Sequence, residues 1–282
     1  LDLKAPGAVD AVLKLAATSD VVLENFASGV MDRLGLGEAD LRKVNPEIVY
    51  VSSSGVGRTG PQADAVAYGT LVQCFVAFAD LNGFPDRPPS PGFAWSDPLC
   101  GMLLAFSSTA ALYARQQGSS AVRKIDHSMA EALLWTMPGS LLEAQEGMEL
   151  PRQLGNQSRD LAPHDLYPAA GEDQWIAIAV TSDEEWRALC AQVEGLAGLE
   201  GLNVAERFVR REEIGGVIAG WTAARDAREA MHALQSAGVA AGATFDTQML
   251  FEDEHLWARG FYQPVTLGDG ETQLLPGLPW KW

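Results

Sequence analysis

The sequence has 282 residues, of which 47% are hydrophobic and 20% are charged, as in a globular protein of one or two domains. Its 37 acidic and 20 basic residues give a net charge of −17, which repels the phosphates of nucleic acids and anionic membranes. We therefore expect neither nucleic acid nor a membrane as a partner. The three cysteines lie far apart and the four histidines are scattered, so we expect no disulfide framework, no metal site and a reducing, cytoplasmic compartment.

The first predicted elements are a helix over residues 7–17 and a short buried strand over 21–23, which is typical of a parallel sheet. In open α/β sheets ligands bind at the carboxyl ends of the strands, so Asn25 is a candidate site residue. Asparagine is also an ordinary turn residue, and that interpretation stays open. A short helix before Gly37 carries Arg33, which is either a contact for an anionic ligand or a surface ion-pair residue.

A second strand–helix unit follows, with a helix over 38–44, a strand over 48–52 and a glycine-rich loop over 53–61. Glycines in such a loop let backbone N–H groups approach a phosphate or a thioester. The loop has neither the Walker pattern nor the dinucleotide-binding pattern. A predicted helix over 66–79 and a proline- and glycine-rich loop over 82–92 lead to the next segment.

The segment that follows places an acid, Asp97, at the start of a long apolar helix predicted over 97–117. Pro98 suits the first helical position. The carboxylate of Asp97 either caps the helix by accepting free backbone N–H groups or acts as a nucleophile presented at the helix start. The sequence alone leaves both interpretations open. The helix positions expected to face the core are Leu99, Met102, Leu103, Phe106, Ala110 and Tyr113.

After an extended segment over 124–126, a helix is predicted over 127–147 with a bend at 137–139. The chain then becomes rich in loops over 155–168. The remaining predicted elements are a strand over 174–180, a helix from Ser182, helices over 211–223 and 227–237, a short strand after Gly242, and an extended segment over 256–282.

These elements predict an α/β protein with a large domain over 1–150 and a small α/β domain over 151–245. A C-terminal segment over 246–282 is expected to return to the large domain. The first residue is Leu1 rather than methionine, and the chain reads as if it began inside a domain. We therefore expect an N-terminally incomplete protein or one half of a larger, fused polypeptide.

Seven stretches are informative as an ordered set along nearly the whole chain. They are DVVLENF (20–26), GVMDRLGLG (29–37), NPEIVY (45–50), SGVGRTGP (54–61), SDPLCGM (96–102), KIDHS (124–128) and GVAAG (238–242). Together they resemble the class III coenzyme A transferases, the family of formyl-CoA and carnitine-CoA transferases. Each stretch alone is a modest signal, whereas their common order is specific.

The resemblance implies a Rossmann-like large domain with a smaller α/β domain, in chains that interlock as a dimer. It implies an acyl-CoA:carboxylate CoA-transferase in which Asp97 forms an aspartyl mixed anhydride and then an aspartyl-CoA thioester. Coenzyme A, supplied as acyl-CoA, and a small carboxylic acid would be the ligands, with no metal. The protein partner would be a second copy of the chain or a second CoA-transferase half.

The resemblance also carries CoA-contacting positions onto this sequence. One group matches the segment that holds the CoA nucleotide, with Arg33 near a phosphate or the adenine. Others lie at the start of the chain and in the segment before residue 69. The residues at these positions are Leu1, Lys4, Asn25, Phe26, Val30, Arg33, Leu34 and Tyr68.

Two positions depart from the family's pattern, because residues 27–28 read Ala-Ser in place of the usual Arg-Pro and Gly69 stands where an acid is usual. The resemblance leaves two alternatives. An α-methylacyl-CoA racemase uses a His and an Asp as an acid–base pair, and Tyr68 in the segment of that His disfavours it. A non-catalytic CoA-binding or dimerisation half is favoured by Gly69 and opposed by the presence of Asp97.

Overall fold

The computed structural model of the protein describes residues 1–119, 122–148 and 153–281. The chain divides into two units, residues 1–155 and 156–282. Each unit combines helices with strands, which confirms the predicted α/β class. The domain boundary predicted between residues 150 and 151 lies outside the described residues. The return of the C-terminal segment to the large domain stays a prediction.

The first unit is built on three parallel strands in the order β1 (Val21–Glu24), β2 (Val49–Ser54) and β3 (Lys124–Ser128). Because the strands are parallel, their carboxyl ends meet at one edge of the sheet, where ligands bind in open α/β sheets. The helices of this unit are α1 (Ala8–Ala16), α2 (Val30–Arg33), α3 (Glu38–Val44), α4 (Gly69–Phe75), α5 (Phe78–Leu81), α6 (Ser96–Gln116), α7 (Met129–Leu134) and α8 (Pro138–Gln145).

Side chains alternate between the two faces of this sheet, and each face packs on different helices. Ile48 and Tyr50 lie in one core with residues of α1, α2 and α3, among them the fully buried Leu41. Val51, which lies opposite residues 23 and 125 in the strand register, points the other way and packs with Ala111 of α6. The sheet is therefore covered on both faces, as expected for strands that read as continuous apolar runs.

Helix α6 buries only part of its apolar surface within this chain. Leu99 is buried as predicted, whereas Met102, Phe106 and Tyr113 are 57, 72 and 62% exposed. The predicted core position was wrong for these three residues and for Ala110, which is also exposed. The spacing of the side chains shows that they share one side of the helix, but β2, α4 and α7 cover a different side.

Two helices predicted in this unit are each divided in the structure. The segment predicted as a helix over 66–79 forms α4 and α5, which are separated by Ala77 in a left-handed conformation (φ 64°). The segment predicted as a helix over 127–147 begins as the end of β3. The Ser128 hydroxyl then caps α7 by accepting the N–H of Glu131 at 3.2 Å, and Pro138 begins α8 after a break.

The second unit contains an antiparallel sheet in the order β4 (His164–Pro168), β5 (Trp175–Ala179) and β6 (Ala240–Ala243). Strand β4 lies where loops were predicted, because its sequence HDLYP mixes polar residues and a proline without an alternating apolar pattern. A hairpin of β7 (Tyr262–Thr266) and β8 (Thr272–Pro276) forms a separate sheet. The helices are α9 (Asp183–Gln192), α10 (Val204–Val209), α11 (Arg211–Ala223), α12 (Ala227–Ser236), α13 (Thr247–Phe251) and α14 (Glu254–Ala258), with a 3₁₀ turn at Glu194–Leu196.

Candidate active site

Asp97 lies in the first turn of α6, which begins at Ser96 after the N-cap residue Trp95. The side chain is exposed, and its carboxylate accepts no hydrogen bond from any residue that the structure describes. The capping alternative requires such a bond with a backbone N–H, and the structure does not contain it. The buried Leu99 and Cys100 follow within one turn and hold the start of the helix in place. The Asp97 carboxylate is therefore exposed and not engaged as a helix cap.

Gly69, the first residue of α4, lies directly against this carboxylate. A Cβ atom at position 69 would lie 2.7 Å from Cγ and 2.8 Å from Oδ1 of Asp97, well inside normal contact distances. The Asp97 carboxylate thus occupies the space into which any side chain at position 69 would extend. Gly69, where the resemblance leads us to expect an acid, leaves this space to the Asp97 carboxylate.

Asp97 borders a cavity of about 560 Å³, which we call the Asp97 cavity. Asn25 and Phe26 reach it from the carboxyl end of β1, and Tyr68 reaches it from the segment before α4. The cavity also includes Ser53 at the end of β2. The fold therefore brings together four residues predicted from sequence, and it does so at the carboxyl edge of the parallel sheet, as expected for an α/β ligand site.

The other predicted site residues, Leu1, Lys4, Val30, Arg33 and Leu34, are not among the described residues that line this cavity. Leu1, Lys4 and Arg33 are exposed. The Arg33 guanidinium donates through Nη1 to the Ser28 carbonyl at 3.4 Å. Leu34 is partly buried against the core beside α1, α2 and α3. Contact of these five residues with CoA stays a prediction.

Arg58, in the glycine-rich loop after β2, was not among the residues predicted from sequence, although a cation in such a loop was a usable signal. Its Nε donates to Ser52 Oγ at 2.7 Å, and its Nη2 donates to Glu24 Oε1 at 3.1 Å and to the Phe26 carbonyl at 2.7 Å. Its backbone N–H lies 3.0 Å from each carboxylate oxygen of Asp126. One residue thus contacts all three strands of the sheet.

The carboxylate that holds Arg58 belongs to Glu24, which is buried at the end of β1. Glu24 Oε2 accepts the N–H of Phe26 at 2.8 Å, and Oε1 accepts the hydroxyls of Ser52 and, at 3.4 Å, Tyr50. Burial and the neighbouring Glu24 charge raise the pKa of Tyr50 to about 12, so the phenol keeps its proton and remains a donor. The negative charge of Glu24 is therefore shared among several donors.

The thiol of Cys100 also borders the Asp97 cavity. Burial, with a smaller effect of the nearby Asp97 charge, raises the pKa of Cys100 to about 11. The thiol is consequently protonated at neutral pH, and a protonated thiol is a poor nucleophile. Cys100 is therefore not activated as a thiolate nucleophile in this cavity.

Two further properties bear on function. Within residues 1–119, 122–148 and 153–281, no cluster of three or more His, Cys, Asp or Glu side chains is placed to hold a metal ion. Over the same ranges, none of the helices has the length and apolarity needed to cross a bilayer.

The fold is one that solved structures of CaiB/BaiF proteins share. A CaiB/BaiF family protein from Brucella suis superimposes with a TM-score of 0.81 at 24% identity, over 99% of this chain and 77% of its own. Rv3272 from Mycobacterium tuberculosis superimposes with a TM-score of 0.82 at 23% identity, over 100% of this chain and 76% of its own. The sequence matches CoA-transferase family III over residues 1–282, and the chain belongs to this family.

Named relatives are CoA-transferases. The acetyl-CoA:oxalate CoA-transferase of Acetobacter aceti is 37% identical over 216 residues, which are 76% of this chain and 54% of that protein. The succinyl-CoA–D-citramalate CoA-transferase of Chloroflexus aurantiacus is 28% identical over 92% of this chain and 65% of its own length. The succinate–glutarate CoA-transferase of Agrobacterium fabrum is 28% identical over 98% of this chain and 69% of its own length. The chain thus spans 54 to 65% of the first two relatives.

Proposed function

We propose that the protein is an acyl-CoA:carboxylate CoA-transferase with Asp97 as its nucleophile. The observation that carries this proposal is the exposed Asp97 carboxylate, which has no hydrogen-bond partner among the described residues and borders a cavity at the carboxyl edge of the sheet. A carboxylate without hydrogen-bond donors keeps its lone pairs available for attack. Membership in CoA-transferase family III supports the same reaction.

The reaction proceeds through covalent intermediates on Asp97. The carboxylate attacks the acyl-CoA thioester, giving a mixed anhydride and CoA thiolate. The thiolate attacks the Asp97 carbonyl, which forms an aspartyl-CoA thioester and releases the donor acid as its carboxylate. The acceptor carboxylate attacks that thioester and expels the thiolate again. The thiolate then attacks the acceptor carbonyl, which gives the new acyl-CoA and regenerates Asp97. Every step exchanges one leaving group for one nucleophile, so the thioester energy is conserved and no net proton transfer is needed.

The residues of the Asp97 cavity would bind the reacting end of acyl-CoA. Asn25 supplies an amide, while Phe26 and Tyr68, which are exposed, supply aromatic surface. We assign the nucleotide end to the residues outside the cavity, with Lys4 and Arg33 at the phosphates. Apolar contacts with the nucleotide would come from Leu1, Val30 and Leu34.

The acceptor acid is proposed to be a small dicarboxylate. Apart from the acetyl donor in the name of the first relative, the acids named are oxalate, citramalate, succinate and glutarate, which all carry two carboxylates. The cavity volume of about 560 Å³ accommodates such an acid beside the thioester end of CoA. The three free cysteines agree with a reducing compartment, and we propose the cytoplasm.

We propose a second copy of this chain as the partner of the first unit. Met102, Phe106 and Tyr113 form an exposed apolar stripe on α6, and Leu71 and Phe75 of the neighbouring α4 are 55 and 59% exposed. Large exposed apolar patches mark interfaces in soluble proteins. An interlocked homodimer would cover this surface, and a second CoA-transferase half would be the alternative occupant.

The covalent step is tested by trapping. The protein, in the assembly in which it is purified from its native host, is incubated with acetyl-CoA or succinyl-CoA and quenched with hydroxylamine or borohydride. We expect peptide mass spectrometry to find the hydroxamate or the reduced alcohol at Asp97. Asp97→Asn should abolish both the adduct and CoA transfer. Asp10→Asn, which alters an exposed acid in the first turn of α1, is the matched control and should leave both unchanged.

The alternatives give different results in the same experiment. CoA binding without any adduct, and without transfer, would favour the non-catalytic half. Exchange of the α-proton without an adduct would favour the racemase, although no histidine is among the described residues that line the cavity. An adduct at a residue other than Asp97 would refute the proposed nucleophile.

The partner is tested by light scattering coupled to size exclusion. We expect twice the mass of one chain for the wild type. Phe106→Glu places a charge on the apolar stripe and should shift the mass toward one chain. Leu15→Glu, at a residue of α1 that is 66% exposed, is the control. A wild type with the mass of a single chain would refute the homodimer.

A further inference from the structure

The charged groups of the Asp97 cavity suggest how it distinguishes one acceptor acid from another. This inference rests on the proposed transferase reaction. Among the described residues that line the cavity, the charged side chains are Asp97 and Arg58. An acid at position 69 would have added a second negative charge beside Asp97, but Gly69 adds none. The cavity therefore combines one reactive anion with one cation.

Arg58 is held firmly along one edge of its guanidinium. Its Nε and Nη2 groups donate to Ser52, Glu24 and the Phe26 carbonyl, and Nη2 also lies 3.1 Å from the Ser53 carbonyl. The side chain is only 15% exposed. Contacts from two strand ends over-determine its position, so little conformational entropy remains to be lost when a ligand binds.

The opposite edge of the same guanidinium is unused. The two N–H groups of Nη1 have no acceptor within the part of the chain that the structure describes. Nη1 is not among the described side-chain atoms that are both buried and unpaired, so it is open to solvent or to a ligand. A guanidinium pairs best with a carboxylate or a phosphate. Glu24 does not supply this pairing, because its oxygens already accept donors from Tyr50, Ser52 and Phe26.

We propose that Arg58 is a specificity-determining residue that binds the remote carboxylate of a dicarboxylate acceptor through Nη1. The other carboxylate of the acceptor is then directed at the Asp97 carbonyl in the aspartyl-CoA thioester. Without a cation, a second carboxylate in this cavity would lose hydration with nothing to replace it. With Arg58 in place, the dicarboxylate is favoured over the monocarboxylate of the same chain length, whose end is an uncharged methyl group.

A second cavity of about 540 Å³ also borders Arg58. Its other cations are already paired, since Arg42 lies 3.0 Å and Lys124 3.1 Å from Glu38. Asp97 does not line that cavity. We therefore assign the anion to the Asp97 cavity, where the reacting carbonyl forms.

The experiment compares acceptors of equal length in one enzyme preparation. Initial rates are measured for succinate against butyrate, and for glutarate against pentanoate, with the acyl-CoA that labels Asp97 most fully. We expect Arg58→Gln to raise KM for the dicarboxylates about 10- to 100-fold, the effect of one hydrogen bond to a charged group. The constants for the monocarboxylates and KM for the acyl-CoA should change less than about twofold. Arg87→Gln, at an exposed arginine outside the cavity, is the control.

Loss of Arg58 leaves Glu24 buried without its cation, so Arg58→Gln is paired with a second variant, Glu24→Gln/Arg58→Gln, which removes both charges. The decisive quantity is the ratio of kcat/KM for succinate to that for butyrate. This ratio does not depend on how much of a preparation is folded. We expect the ratio to fall at least about tenfold in both variants.

Three results would overturn the proposal. An equal loss for both acceptors at an unchanged ratio would mean that Arg58 is structural. A rise in KM for the acyl-CoA with every acceptor would mean that Arg58 binds a CoA phosphate. A wild type that uses butyrate as well as succinate would remove the selectivity to be explained. Failure of the transferase proposal itself is separate, because the wild type would then form no Asp97 adduct and transfer CoA to neither acid.

Discussion

Replacement of Gly69 by alanine should slow the reaction about 100-fold without damaging the fold. The added Cβ would lie 2.7 Å from Cγ and 2.8 Å from Oδ1 of Asp97, whereas non-bonded atoms normally keep about 3.5 Å or more. The carboxylate must therefore move by about 1 Å. A displacement of this size at a reacting group costs about 100-fold in rate. That factor corresponds to about 2.7 kcal/mol in the activation free energy.

The fold should tolerate the change because the obstructing atoms are the end of an exposed, flexible side chain. Gly69 is the first residue of α4 and does not adopt a left-handed conformation, so alanine fits its backbone. Alanine also restricts the unfolded chain, and the free energy of unfolding should stay equal or rise by up to about 1 kcal/mol. The expected combination is a slower enzyme of unchanged or greater stability.

The assay follows CoA exchange by chromatography of the thioesters, with thermal unfolding measured on the same preparations. The matched control is Gly139→Ala in α8, because that glycine also lies in the first turn of a helix and an added Cβ meets no atom within 4 Å. Full activity in Gly69→Ala would refute the link between position 69 and the Asp97 carboxylate. A large loss of stability in the same variant would refute the expectation that only the carboxylate moves.

Two further predictions concern the thiols and the second unit. In the Phe106→Glu variant, in which no second copy should cover α4, Cys74 is exposed whereas Cys100 is buried with its pKa raised to about 11. An alkylating reagent at pH 8 should therefore modify Cys74 first in this variant. At pH 9 Cys100 should still be protonated and should still be alkylated slowly. Equal alkylation rates of Cys74 and Cys100, measured by peptide mapping, would contradict this prediction. Arg207→Met should lower the free energy of urea unfolding by about 2 to 4 kcal/mol, because the buried guanidinium donates to the Ala162 carbonyl at 2.7 Å and to a second backbone carbonyl. Arg187→Met, at an exposed ion pair, should cost less than about 1 kcal/mol, and equal losses would contradict the role of burial.

Local patterns in the sequence were sufficient to predict the elements around the site. The apolar run over 21–23 and the strand over 48–52 are the cores of β1 and β2, and the helix predicted over 97–117 is α6 to within one residue. The order of short motifs was sufficient for the family, because each motif is local in sequence. Strand β4 was not predictable in this way, since its pairing with β5 stabilises residues that carry no apolar alternation.

The sequence by itself determined the α/β class, the family and Asp97 as the residue to consider first. Only the tertiary structure decided that the Asp97 carboxylate lies against Gly69, 28 positions earlier, and that Arg58 joins Glu24 and Asp126 across three strands. These contacts depend on how distant segments meet, which hydrophobic periodicity does not encode. The stripe that includes Phe106 shows the same limit: spacing identifies side chains that share a side of a helix, but what covers that side is decided by packing.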